Sequence, residues 1–206
     1  MSVWVESVAI PSYAGVTIRN QLYQKVGNKK LMVLLPGRGY TIAAPLLYYN
    51  FKLGWSNGYD VLRVEYGFHV AQSALAQDNI PDITQESTLA VEKALEADDY
   101  EELVIVGKSL GTPIAALIAN QHPITTKCLL LTPIQSSHKI VEKAPTLAII
   151  GTSDPLYDAE ATVDTDWVTW KVYPDLDHSL EKRGDLNASL AILPDIIQTC
   201  ADFILR

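Results

Sequence analysis

The sequence predicts an α/β fold built on an open, mostly parallel sheet. Three observations predict it. Short apolar segments of strand composition recur along the chain, and most end at Gly or Pro. Several are continuous apolar runs rather than alternating ones, as expected for strands covered on both faces. Amphipathic stretches of helical spacing separate them, and alternating β and α elements imply right-handed crossovers.

Two strands open the chain, Val3 to Ile10 and Val16 to Val26. Pro11 to Gly15 between them supplies the turn of an N-terminal hairpin. The α/β pattern follows. Its strands are Lys30 to Leu35 (before Pro36-Gly37), Asp60 to Tyr66 (before Gly67), Leu103 to Val106 (before Gly107) and Cys128 to Leu131 (before Thr132-Pro133). Thr146 to Ile150 ends at Gly151, and Val168 to Tyr173 ends at Pro174. Residues 82–97, 110–119 and 186–205 carry the helical patterns. No internal repeat, low-complexity tract or linker interrupts them, so residues 1–206 are expected to form a single domain. Helices then cover both faces, and ligands are expected beyond the carboxyl ends of the strands.

Composition excludes several function classes. Hydrophobic residues make up 48% and charged residues 19%, a balance that a disordered chain lacks. The formal charge of −8 would repel a phosphate backbone, so nucleic acid is not an expected partner. The segment MSVWVESVAIPS has no basic region followed by an apolar core, so it does not read as a secretory leader. No apolar run is long enough to span a membrane. Cys128 and Cys200 form no C-x-x-C pair and sit in apolar stretches. They read as two buried thiols in a reducing compartment rather than as a disulfide or metal site, and a cytoplasmic location is expected.

The strongest chemical signal is Gly107-Lys108-Ser109-Leu110-Gly111. It satisfies G-x-S-x-G between a strand and a helical pattern. A serine on so tight a turn is strained and projects its hydroxyl above the sheet, while the helix N-terminus offers amide groups to a developing oxyanion. A phosphate-binding loop would share Gly107-Lys108-Ser109, but Glu102 stands where that loop needs its first glycine. Lys108 is expected to point toward solvent.

A serine needs a base and an orienting carboxylate. His178, in Asp175-Leu176-Asp177-His178-Ser179-Leu180, follows the last strand and so lies at the same sheet edge as Ser109. His69 and His138 also follow strands and are positioned to line the site, whereas His122 reads as a surface residue. Asp154, in Gly151-Thr152-Ser153-Asp154-Pro155, is the candidate acid; an Asp before Pro is equally a helix N-cap, and the two roles compete for the same oxygens. Asp158 and Asp177 are the alternatives.

The order Ser109, Asp154, His178 on these three motifs resembles the α/β-hydrolase superfamily over nearly the whole chain. The resemblance implies an α/β-hydrolase fold and acyl transfer through an acyl-enzyme, without cofactor or metal. It implies backbone oxyanion donors at Leu110 and in the loop Pro36-Gly37-Arg38-Gly39-Tyr40-Thr41, where the Arg38 amide is favoured and Gly39 is next. Larger relatives carry a helical cap after the strand that matches Cys128 to Leu131. Here Ile134 to Pro145 leaves room for none, so the chain resembles small cap-less members, similar to dienelactone hydrolases and small carboxylesterases. The expected partner is a small acyl substrate: an ester, thioester or lactone in a shallow cleft that favours short acyl groups. Tyr40, Phe68, Lys108 and Tyr157 are the candidate lining residues. A non-catalytic binding module, a peptidase and an acyltransferase remain alternative readings of the same constellation, and oligomeric state is open.

Overall fold

The computed structural model describes residues 3–122, 124–134 and 137–206. Met1 and Ser2 of the leader reading, Pro123 beside His122, and Gln135 and Ser136 of the short Ile134–Pro145 connection lie outside these. The described residues form an eight-stranded sheet. Its strands are β1 (Val3–Pro11), β2 (Thr17–Lys25), β3 (Lys30–Leu35), β4 (Tyr59–Arg63), β5 (Glu102–Lys108), β6 (Thr125–Leu131), β7 (Thr146–Gly151) and β8 (Val168–Tyr173). Their spatial order is β1-β2-β4-β3-β5-β6-β7-β8. The leading hairpin pairs Val3 with Lys25 through Pro11 with Thr17, and β2 meets β4 antiparallel. From β4 to β8 every pairing is parallel.

Strand burial explains why the runs are continuously apolar. Leu31, Val33 and Leu35 of β3, with Ile105 of β5, face a core shared with α3 (Ile80–Leu95) and α4 (Gly111–Gln121). The alternate residues Met32, Leu34, Val104 and Val106 face a second core, under α1 (Pro45–Ser56) and α6 (Leu186–Ile204). Successive side chains of a strand point to opposite faces, so covering both faces makes every position apolar. Each such Leu, Ile or Val contributes about 1.5–3 kcal/mol on burial.

Helix α1 was not marked by its sequence. Pro45 fits its first turn, but leucine and aromatic residues occur nearly all round it. Only Leu46, Leu47, Asn50 and Gly54 are buried, while Tyr48 and Tyr49 are exposed. At Gly54 an added Cβ would lie 2.7 Å from Met32 Sδ, so the glycine sets how closely α1 approaches β3. The remaining helices, α2 (Gly67–Val70) and α5 (Ser137–Ile140), are single turns in loops beyond strand ends. No helix among the described residues is long and apolar enough to cross a membrane.

Candidate active site

Ser109 follows β5 directly and adopts φ 50°, a left-handed conformation that is strained for a serine. Its backbone is held on both sides. The Ser109 N–H donates to Leu131 O, and the Ser109 carbonyl accepts from the Thr112 N–H at 2.8 Å and the Thr112 hydroxyl at 2.7 Å. The flanking glycines serve close approach. A Cβ on Gly107 would lie 2.4 Å from Gly111 O, and one on Gly111 would lie 2.5 Å from Leu35 O. Real side chains do not tolerate either distance, so both positions of the G-x-S-x-G signature are set by backbone crowding under the turn.

His178 reaches Ser109 from the loop after β8. Gly151 makes this possible, since a Cβ there would meet Leu176 O at 2.1 Å. The loop can therefore fold down onto the end of β7, where Asp154 sits. His178 Nδ1 donates to Asp154 Oδ2 at 2.7 Å, and the Ser109 hydroxyl donates to His178 Nε2 at 2.8 Å. The carboxylate acceptor places the ring proton on Nδ1 and leaves Nε2 free to accept. Asp154 is buried while His178 is about one-third exposed. No helix starts just after Asp154 among the described residues, so the N-cap alternative is not met; the carboxylate holds a turn instead, Oδ1 accepting the Leu156 N–H at 2.9 Å while Oδ2 holds the histidine. Asp158 and Asp177 spend their carboxylates on nearby amides, those of Glu160 and Ser179. A serine hydroxyl on a neutral imidazole of fixed tautomer can give up its proton as it attacks an electrophilic carbon.

A cavity of about 590 Å³ opens beside Ser109. Arg38, Leu75, Gln77, Ile80, Pro81, Leu110, Pro113 and Ile134 line it with the serine. Leu110 is thus at the site, at the cap of α4, and Arg38 is on the facing loop. No backbone hydrogen bond occupies the N–H groups of Leu110, Arg38 or Gly39 among the described residues, whereas the Gly37 N–H closes its own turn onto Tyr40 O. The loop is braced from behind by residues that the sequence did not single out for this. The Tyr66 hydroxyl donates to Pro36 O at 2.9 Å, and His69 Nε2 donates to Arg38 O at 2.7 Å.

The expected lining is corrected in four places. Phe68 is buried and stacks on Tyr66 beneath the loop. Tyr157 is half-buried after Asp154, with its N–H on Asp154 O, and is not in the cavity wall. Tyr40 is half-buried and packs over Lys108, its hydroxyl accepting from the Leu46 N–H. Lys108 does not reach solvent: it is 1% exposed. The cavity wall comes instead from Leu75, Gln77, Ile80 and Pro81, which span a short 3-10 turn and the first residues of α3, together with Leu110, Pro113 and Ile134. His138 is buried with its ring edge-on to Trp170, and His122 is partly buried rather than a surface residue; neither lines this cavity.

Similar folds surround this one. A serine hydrolase without lid from Xanthomonas campestris matches with a TM-score of 0.74 at 14% identity, over 98% of this chain and 94% of that one. A dienelactone hydrolase from Anabaena variabilis matches with a TM-score of 0.69 at 18% identity, over 100% and 98%. An esterase from Pyrococcus furiosus matches with a TM-score of 0.73 at 15% identity, over 98% and 91%. At these identities the likeness is one of fold. No curated protein matches the sequence. The sequence itself matches the alpha/beta hydrolase domain family over residues 28–205. That span takes in the elbow, the Asp154 turn, the His178 loop and all six strands of the parallel part of the sheet, and the chain belongs to the alpha/beta hydrolase domain family.

Proposed function

We propose that the protein is a serine hydrolase that cleaves small esters, thioesters or lactones through an acyl-enzyme. The observation that carries this reading is the unbroken hydrogen-bond chain from Ser109, which lines the cavity, through His178 to Asp154. Ser109 Oγ attacks the acyl carbon while its proton passes to His178 Nε2. The imidazolium, steadied by Asp154, then protonates the leaving alkoxide or thiolate, and the acyl group stays on Ser109. Water gives a proton to His178 as its oxygen attacks the acyl carbon, and His178 passes that proton to Ser109 Oγ as the acyl–Oγ bond breaks, which releases the acid and restores the free serine. The N–H groups of Leu110 and of Arg38 or Gly39 are the donors we assign to the oxyanion. The largely apolar wall from Leu75 to Pro81 suits the acyl group, a small-molecule substrate of modest size. The names of the Anabaena and Pyrococcus neighbours support a lactone or ester over an amide. A reducing compartment such as the cytoplasm suits two free, buried thiols, Cys128 and Cys200.

The test is turnover of nitrophenyl and thioester acyl substrates by the wild type and Ser109→Ala. On this reading the expected result is hydrolysis by the wild type that collapses in Ser109→Ala. Equal rates in Ser109→Ala would overturn it.

A further inference from the structure

Lys108 is the most unusual side chain of the site. It ends β5, immediately before Ser109, and a long cationic side chain there is buried to 1% exposure. Its hydrogen-bond acceptors are both neutral: Nζ donates to Thr132 Oγ1 at 2.6 Å and to the backbone carbonyl of His178 at 2.9 Å. The same ammonium lies 4.9 Å from the centre of the Tyr40 ring, which belongs to the loop that carries Arg38 and Gly39. In the sheet, β5 and β8 are separated by β6 and β7. The His178 loop must therefore cross the end of β7 to meet Ser109, and Lys108 reaches across to hold it there. Thr132, which receives the other bond, is itself strained at φ 47° and fully buried at the end of β6.

A buried ammonium is costly even when hydrogen-bonded, and an apolar side chain of similar length would commonly leave stability unchanged or higher. Burial lowers Lys108 to about 8, against the pull of Asp154 and Asp177, so the charge is tolerated rather than welcomed. Stability does not explain the lysine, whereas geometry does. On the serine-hydrolase reading above, on which this rests, we infer that Lys108 is a positioning residue: one ammonium ties the nucleophile strand to the backbone of His178 and to Tyr40 of the oxyanion loop, so that base, nucleophile and oxyanion donors are held in one register. His178 is then fixed at three points, its Nδ1 by Asp154, its Nε2 by Ser109 and its carbonyl by Lys108.

The experiment compares wild type with Lys108→Met, which keeps length and packing but removes the N–H groups and the charge. It reads kcat and KM on nitrophenyl acetate, the labelling rate by a fluorophosphonate, and thermal stability. A release of the His178 loop by a fraction of an ångström is expected to lower kcat and labelling about 30- to 100-fold, since small misplacements at a reacting centre are expensive. KM should stay within about twofold, and Tm should be unchanged or higher. A variant whose kcat lies within about threefold of wild type overturns the inference. So does one that loses Tm with kcat and KM worsening together, for that is a merely structural lysine. If Lys108→Met does not fold, Thr132→Val removes one acceptor and leaves the charge; a loss of about fivefold in kcat supports the tie, and a wild-type kcat overturns it. A wild type that neither labels nor hydrolyses would instead sink the serine-hydrolase reading itself, and this inference with it.

Discussion

Asp154 divides its two oxygens between a backbone amide and an imidazole, and the division decides what a substitution there does. Asn at position 154 can still accept the Leu156 N–H through its carbonyl, so the turn after β7 should survive. Its NH2 group would then face His178 Nδ1 and favour the tautomer with the proton on Nε2, which cannot accept from Ser109. Asp154→Asn is therefore expected to keep Tm within a few degrees and to lose roughly 10³- to 10⁴-fold in kcat, measured by steady-state ester hydrolysis beside a thermal melt. Lys108 gives a second expectation at this scale. Its folded value of about 8 lies below the ordinary 10.5, so between the two the unfolded chain keeps a proton that the folded chain has lost. Stability contributed by this group must rise with pH across that window. Denaturant titrations at pH 8 and 10 should show the wild type gaining on Lys108→Met by up to roughly 2 kcal/mol, each pKa unit being worth about 1.4 kcal/mol. Ser109, Asp154 and His178 were legible because each sits in a short motif at a strand end. Lys108 was not, because its burial depends on Thr132 and His178, which arrive from other strands.

At the scale of elements, the site is a set of tight passages at strand ends. The first turn of α4 runs so close to β3 that a Cβ on Gly111 would overlap the Leu35 carbonyl carbon and oxygen. Gly111→Ala must move backbone rather than a flexible side chain, and we expect it to cost at least about 2 kcal/mol in chemical denaturation and to disturb the Ser109 turn. Strands were readable because two-faced burial makes them continuously apolar, α3 and α6 because polar residues interrupt their apolar positions at helical spacing, and α4 because an uncharged apolar stretch follows the G-x-S-x-G turn. Helix α1 was unreadable for the reverse reason, since Tyr48, Tyr49, Phe51 and Trp55 blur its buried stripe. The wall formed by Leu75, Gln77, Ile80 and Pro81 is the far end of the Phe68 to Pro81 stretch, which follows a core strand and closes in a 3-10 turn and the start of α3. It now makes a measurable claim. Each buried methylene is worth about 0.8 kcal/mol, or roughly fourfold. Leu75→Ala should thus flatten the rise of kcat/KM with acyl length across nitrophenyl acetate, propionate and butyrate, while leaving acetate nearly unchanged. An unaltered slope would remove Leu75 from the acyl pocket.

Across the whole molecule, the parallel order β3-β5-β6-β7-β8 brings loops distant in sequence to one edge of the sheet. Of the five described non-glycine residues with positive φ, Ser109, Thr132, Asp175 and Leu180 lie on those loops, so backbone strain gathers around the serine. A sheet buried on both faces can hold such strain because a packed core lies against each face. The fold exists, in this account, to present one strained hydroxyl to one imidazole. The most direct test is to treat the folded protein with a fluorophosphonate and locate the adduct by peptide mass spectrometry. The account predicts one adduct per chain, on Ser109, formed at a rate that collapses in Asp154→Asn and absent from Ser109→Ala. An adduct on another residue, or undiminished labelling of Ser109→Ala, would contradict it.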